Sequence, residues 1–195
     1  MGTIICFVSD AFADFEITLA CHKIRNVGKR EVLTAAYNEA AIESESGLCY
    51  KPHLTIRQAL ELKDIEGLII PGGPIRAQRQ ELTDLIQLLD AEGKMLAAIC
   101  NGPQYLGRAG ILKACSFTTS CSPERIQSIK ETDPFPWENY MDQRVVRDGH
   151  VITAKGRAFV DFSFEVFGYL GIYEHAEEEK QLFKDIMDRQ VSYGQ

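Results

Sequence analysis

With 195 residues, 45% hydrophobic and 25% charged, the chain has an ordinary soluble globular composition and enough length for one large domain with a substantial core. Its net charge of −7 and its scattered Lys and Arg residues argue against nucleic acid as the main partner. No apolar stretch is long enough to span a bilayer, and the opening Met1-Gly-Thr-Ile-Ile-Cys6 has neither a basic leader nor a small-residue cleavage site, so no membrane partner and a cytoplasmic location are expected.

Thr3–Val8, rich in Ile and Val, is expected to be a buried first strand. Asp14–Val27 spaces Phe15, Thr18, Leu19 and His22 around a helix, with acids in its first turn and Gly28 behind its end. Glu31–Tyr37 reads as a second strand, and Ala41–Glu43 with Leu48–Tyr50 as a small hairpin around Ser44-Glu-Ser-Gly47. Gly67–Ile70 is a further strand, stopped by Pro71-Gly-Gly-Pro74. Glu81–Glu92 is an amphipathic helix ended by Gly93. Met95–Ile99 reads as a strand, Gly102–Ala109 as a helix stopped by Gly110, Ser116–Ser120 as strand-like, and Pro123–Ile129 as a short helix. Lys130–Met141 is a loop, which Phe135 and Trp137 anchor rather than turn into a lid. Arg144–Val146 and His150–Ala154 form a hairpin around Asp148-Gly149. Helical patterns cover Phe159–Leu170, with Asp161 as a first-turn acid, and Glu174–Arg189, with Glu177-Glu-Glu-Lys180 on a solvated face. This alternation predicts a single α/β domain over residues 1–195, with a mostly parallel sheet and helices on both faces.

Ligands of such sheets sit beyond the carboxyl ends of the strands. That rule groups the loop Ser9–Asp14, the turn Pro71–Pro74 and the corner at Cys100. In Met95-Leu-Ala-Ala-Ile-Cys-Asn-Gly-Pro103 an apolar run ends at Cys100 and Gly-Pro opens a helix. This is the cysteine form of a nucleophile elbow, with Ala98 where the first glycine of Gly-x-Ser-x-Gly would stand. Gly102 permits close approach, Pro103 suits a first helical turn, and the positive helix end is expected to favour the Cys100 thiolate. The alternative is a buried cysteine closing a core strand. Gly72 and Gly73 offer amides that can hold an oxyanion with the amide of Asn101, or they simply turn the chain. Glu16 either complements its helix dipole or hydrogen-bonds the thiolate and shuttles a proton. Cys121 is a packed spectator or a resolving thiol for oxidised Cys100. The six cysteines (Cys6, Cys21, Cys49, Cys100, Cys115, Cys121) contain no Cys-x-x-Cys pair, and the four histidines (His22, His53, His150, His175) form no ligand-spaced group with them. No disulfide scaffold, metal or cofactor is expected.

The order Asp14-Phe-Glu16, Ile69-Ile-Pro-Gly-Gly73 and Ala97-Ala-Ile-Cys-Asn-Gly-Pro103 resembles the DJ-1/PfpI superfamily, and the agreement continues through Phe117-Thr-Thr119 and Thr153-Ala-Lys-Gly156. The resemblance implies a flavodoxin-like three-layer sandwich of the glutamine amidotransferase-like kind, a homodimer, a reactive Cys100, an acid partner at Glu16, and oxyanion amides at Gly73 and Asn101. The chain departs from the pattern at histidine. Peptidase-like members carry one directly after the cysteine, where this chain has Asn101; the parkinsonism-protein branch has one after the Thr-Thr pair, where this chain has Ser120. His150 and His175 fall at neither position. A Cys–His dyad activates the sulfur and protonates an amine leaving group, so peptide hydrolysis is not expected. A Cys100–Glu16 pair can still add to a small electrophile such as an aldehyde or an isonitrile. The expectation is a cysteine-dependent hydrolase or hydratase with a small-molecule substrate. The alternatives are an oxidative-stress sensor, in which an oxidant converts Cys100 to a sulfinate held by protonated Glu16, and a degenerate amidotransferase-like binding module.

Overall fold

The Ile- and Val-rich segments become the central strands because they are apolar on both faces and bury both. A computed structural model describes residues 2–129, 132–173 and 175–188. Its strands are β1 (Thr3–Phe7), β2 (Glu31–Ala36), β3 (Ile42–Glu43), β4 (Cys49–Tyr50), β5 (Leu54–Thr55), β6 (Ile65–Ile70), β7 (Met95–Ile99), β8 (Val145–Asp148) and β9 (Val151–Ala154). The helices are α1 (Phe15–Asn26), α2 (Ile56–Ala59), α3 (Gln80–Ala91), α4 (Pro103–Arg108), α5 (Pro123–Ser128), α6 (Phe159–Leu170) and α7 (Ala176–Met187). Among the described residues, the main sheet runs β5-β2-β1-β6-β7-β9-β8, all parallel except β8 against β9, and β3 pairs with β4 apart from it.

Alternate residues of β1 face opposite layers, as the strand period requires. Ile4, Cys6 and Val8 join α1 and α6 in one core; Ile5 and Phe7 join α3 and α4 in the other. The result is the flavodoxin-like α/β sandwich expected, with β1, β6 and β7 buried at its centre.

Two expectations need correction. Ser116–Ser120 does not form a strand: only Phe117 makes a bridge, to Tyr140. The Thr118 amide is taken by the Thr153 hydroxyl (2.9 Å), and the Thr119 hydroxyl donates to the Cys100 carbonyl (2.7 Å), so this segment is satisfied without a ladder. The β8–β9 turn falls one residue later than read, at Gly149-His150, with Gly149 at φ +60°. β5 and α2 have no counterpart in the sequence reading, although Thr55 and Gln58 form a capping box. The expected tail helix is α7; its expected ends, Glu174 and Arg189, lie outside the described residues. Phe135 and Trp137 pack on Phe117 and Tyr140 as an anchored loop. Among the described residues, no helix is long and apolar enough to cross a membrane.

Candidate active site

β7 ends at Ile99, and the next residue, Cys100, takes φ +62°, a left-handed conformation that a residue bearing a side chain adopts only at a cost of about 1–3 kcal/mol. Four hydrogen bonds hold it there. The Cys100 amide donates to the Ala154 carbonyl (2.8 Å), its carbonyl accepts from the Ser120 amide (2.9 Å) and the Thr119 hydroxyl, and the Gly102 amide donates to Ile99 (2.8 Å). Gly102 is required by backbone rather than by a ligand: a Cβ there would lie 2.4 Å from the Ile70 carbonyl oxygen. Pro103 opens α4 as its first residue.

The Glu16 side chain, on the first turn of α1, is 2% exposed and reaches the sulfur. Its Oε2 accepts the Gly72 amide at 2.7 Å, and the carboxyl group hydrogen-bonds the Cys100 thiol. The Gly72 amide is therefore spent on the acid and is not free for an oxyanion, a correction to the sequence expectation. Two glycines clasp the pair. A Cβ on Gly72 would come within 2.6 Å of Glu16 Oε2 and 3.0 Å of Cys100 Sγ; one on Gly156 would come within 2.6 Å of Oε1 and 3.0 Å of Sγ.

Burial raises the Glu16 carboxyl above its ordinary range, against the hydrogen bonds from Gly72 and Cys100. Burial also pushes the Cys100 thiol up, to about 12, and the Glu16 charge adds to the rise; the Ser120 hydroxyl and the Asn101 amide act the other way. Burial and the Glu16 charge therefore oppose the thiolate that the N-terminal end of α4 favours. Two negative charges in this burial penalise each other, so the pair favours a singly protonated state and its two ionisations are coupled. Two donors face the sulfur, the Asn101 amide and the Ser120 hydroxyl, and one faces the carboxylate.

A cleft of about 420 Å³ opens over this centre, lined by Ala11, Glu45, Gly73, Cys100, Asn101 and Arg125 among others. The Gly73 amide makes no hydrogen bond among the described residues.

Residues 3–168 match the model of the DJ-1/PfpI family. The chain belongs to that family. The deglycase PfpI of Pyrococcus furiosus is 28% identical over 155 residues, covering 77% of this chain and 89% of the relative. DJ-1alpha of Drosophila melanogaster is 25% identical over 171 residues, covering 85% and 76%. Among solved structures, a DJ-1 superfamily protein of Agrobacterium tumefaciens superposes with a TM-score of 0.80 at 27% identity, over 96% of this chain and all of the other. Drosophila DJ-1beta superposes at 0.75 and 21% identity, a likeness of fold.

For a DJ-1/PfpI chain without the expected histidines, the structure shows what stands in their place. Asn101 is buried and braces the elbow: its Nδ2 donates to the Gly73 carbonyl (2.7 Å) and its Oδ1 accepts from the Cys121 thiol (3.1 Å). Cys121 is held there, buried, by a partner other than Cys100. Ser120 Oγ accepts the Gly156 amide (2.9 Å), which leaves its hydroxyl hydrogen for the Cys100 sulfur. Sequence reasoning assigned no role to Gly156, Glu45 or Arg125. Gly156 lay inside a matching motif and was readable; Glu45 and Arg125 are ordinary surface charges until the fold turns them to the cleft.

Proposed function

We propose that the chain is a cysteine-dependent hydrolase acting on a small activated carbonyl compound, with Cys100 as nucleophile and Glu16 as its acid–base partner. The observation that carries this reading is the buried carboxyl–thiol contact at the floor of the cleft, clasped by Gly72 and Gly156. Relatives named deglycases, such as the PfpI of Pyrococcus furiosus, support a hydrolase-like activity.

The pair's single proton sits on sulfur or on oxygen. When it is on Glu16, the Cys100 thiolate adds to the substrate carbonyl carbon: the S–C bond forms and the π pair moves to oxygen. Gly73 and Asn101 line the cleft, and in this reading their amides receive that oxyanion as the sulfur gives up its charge. Collapse of the adduct expels the leaving group, which takes the Glu16 proton and leaves a thioester. Water then adds to the thioester carbon, gives a proton to Glu16, and releases an acid; the proton returns to sulfur. Without an imidazole the site has no strong proton donor for a peptide amine, so small electrophiles rather than peptides are the proposed substrates.

Saturable hydrolysis of small activated esters or thioesters tests this reading. Cys100→Ser is expected to lose turnover at least about 10³-fold. Selective oxidation of Cys100 with no turnover on any such compound would instead make it a redox module. A second copy of the chain is the proposed partner, since Phe15 at the start of α1 and Val27 just past its end are exposed, 47% and 38%. Sedimentation equilibrium is expected to give twice the chain mass, and a monomer would refute this.

A further inference from the structure

Below the acid, on the same β1–α1 unit, lies a second pair of nucleophiles. Cys6 of β1 and Cys21 of α1 are both free thiols, with their sulfurs 3.4 Å apart. Cys6 is fully buried in the α1–α6 core, and Cys21 is half-buried at its edge. Both line a cavity of about 410 Å³, together with Ile17, Thr18, His22 and Thr34. None of the residues lining this cavity lines the Cys100 cleft.

Two thiols in hydrogen-bond contact need to close by only about 1.4 Å to reach a disulfide S–S length near 2.05 Å. The pair joins different elements, so the bond would staple the helix to the strand beneath it. Access is asymmetric: both sulfurs line the cavity, but Cys21 is partly exposed while Cys6 is 0% exposed.

We propose that Cys6 and Cys21 form a reversible dithiol–disulfide centre that reacts with peroxides independently of Cys100. The Cys21 sulfur attacks the peroxide, the O–O bond breaks, and sulfenic acid and water form. The Cys6 sulfur then attacks the Cys21 sulfur, the S–O bond breaks, and the departing hydroxide takes the Cys6 proton as a second water. Two thiols and one hydrogen peroxide give one disulfide and two waters; the two electrons come from the sulfurs. A dithiol reductant reverses the reaction. Cys6 is 0% exposed and Cys21 half-buried, so Cys21 meets the peroxide first; the hydrogen bond to Cys21 and burial both raise the Cys6 thiol, in keeping with that order.

The test separates this centre from the proposed active site by using reduced Cys100→Ser protein beside the parent. Both are exposed to hydrogen peroxide, unfolded in guanidinium and alkylated with N-ethylmaleimide. No Lys or Arg precedes Lys23, so both sulfurs fall in one tryptic peptide, and Asp10, Asp14 and Glu16 provide cleavage points between them. In both proteins Cys6 and Cys21 are expected to lose their labels together. The peptide loses two hydrogens, its Asp-N fragments stay joined, and dithiothreitol separates them. In Cys21→Ser, at a half-buried position, Cys6 stays fully alkylatable under the same exposure. The proposal is overturned if both cysteines remain alkylatable in the Cys100→Ser protein, if Cys21 carries oxygen while Cys6 stays free, or if Cys21 is found bonded to another chain.

Discussion

Gly72 and Gly156 press on the Glu16–Cys100 pair from two sides, so a single methyl group there has a predictable effect. Gly156→Ala places a Cβ in contact with both Oε1 and Sγ, and one of them must move. Turnover is expected to fall about 10- to 100-fold, since a misplacement of an ångström at reacting atoms costs that much. The stability cost, about 1–3 kcal/mol, is read from urea unfolding. Glu16→Gln separates stability from activity. The folded-state pKa of Glu16 lies above its ordinary 4.5, so the folded chain holds that proton more tightly, and this contribution is lost as pH rises from 4.5 through the raised value. Removing the ionisable group removes that loss: at neutral pH the variant should melt higher than the parent while turnover drops about 10²- to 10⁴-fold. An unchanged or lower melting temperature with unchanged turnover would refute both. Cys100 and Glu16 were legible because turn chemistry is local: Gly102-Pro103 marks the corner and one loop leads to the acid. The state of the sulfur was not legible, because burial is set by Ser120, Gly72 and Gly156, which come from three other segments.

At the scale of elements, Asp14 holds the β3–β4 hairpin over the mouth of the cleft. Its carboxylate accepts from the Ser46 hydroxyl (2.6 Å) and the Tyr50 hydroxyl (3.0 Å). Burial works to raise its pKa, but the hydrogen bonds from Ser46, Tyr50 and Ser44 outweigh it and hold the group below 3.8. The stability from these bonds is therefore present above pH 3.8 and lost as pH falls through the lower folded value. Asp14→Ala strands two donors and is expected to cost about 1–3 kcal/mol. Hydrogen exchange should accelerate across residues 42–50, which carry Glu45 to the cleft; exchange unchanged there would show that the hairpin stands without the clasp. The hairpin itself was legible from Ser44-Glu-Ser-Gly47 between apolar flanks. The misread strand at Ser116–Ser120 shows the limit of pattern reading: Phe117-Thr-Thr119 has strand composition, but composition does not reveal that Thr153 captures the Thr118 amide.

Across the whole molecule, strand order does the gathering. β1 lies between β2 and β6, and β7 lies beyond β6, so the ends of β1, β6 and β7 converge on one edge. The acid that follows β1 then meets the cysteine that follows β7, some 84 positions further along the chain. That convergence follows from the alternation of strand and helix, which is why the architecture was legible while Arg125, on a helix after the elbow, was not. The central claim is that this convergence makes one proton-sharing unit of two residues. The pH dependence of Cys100 alkylation by iodoacetamide, read by peptide mapping in the parent and in Glu16→Gln, tests it most directly. The parent should become reactive as the pair loses its first proton, above the ordinary carboxyl value of 4.5, and should rise again toward about 12. In Glu16→Gln the first step should vanish, leaving a single ionisation above the ordinary thiol value, where burial places a lone thiol. Identical profiles for the two proteins, or a parent unreactive until strongly alkaline pH, would contradict the account.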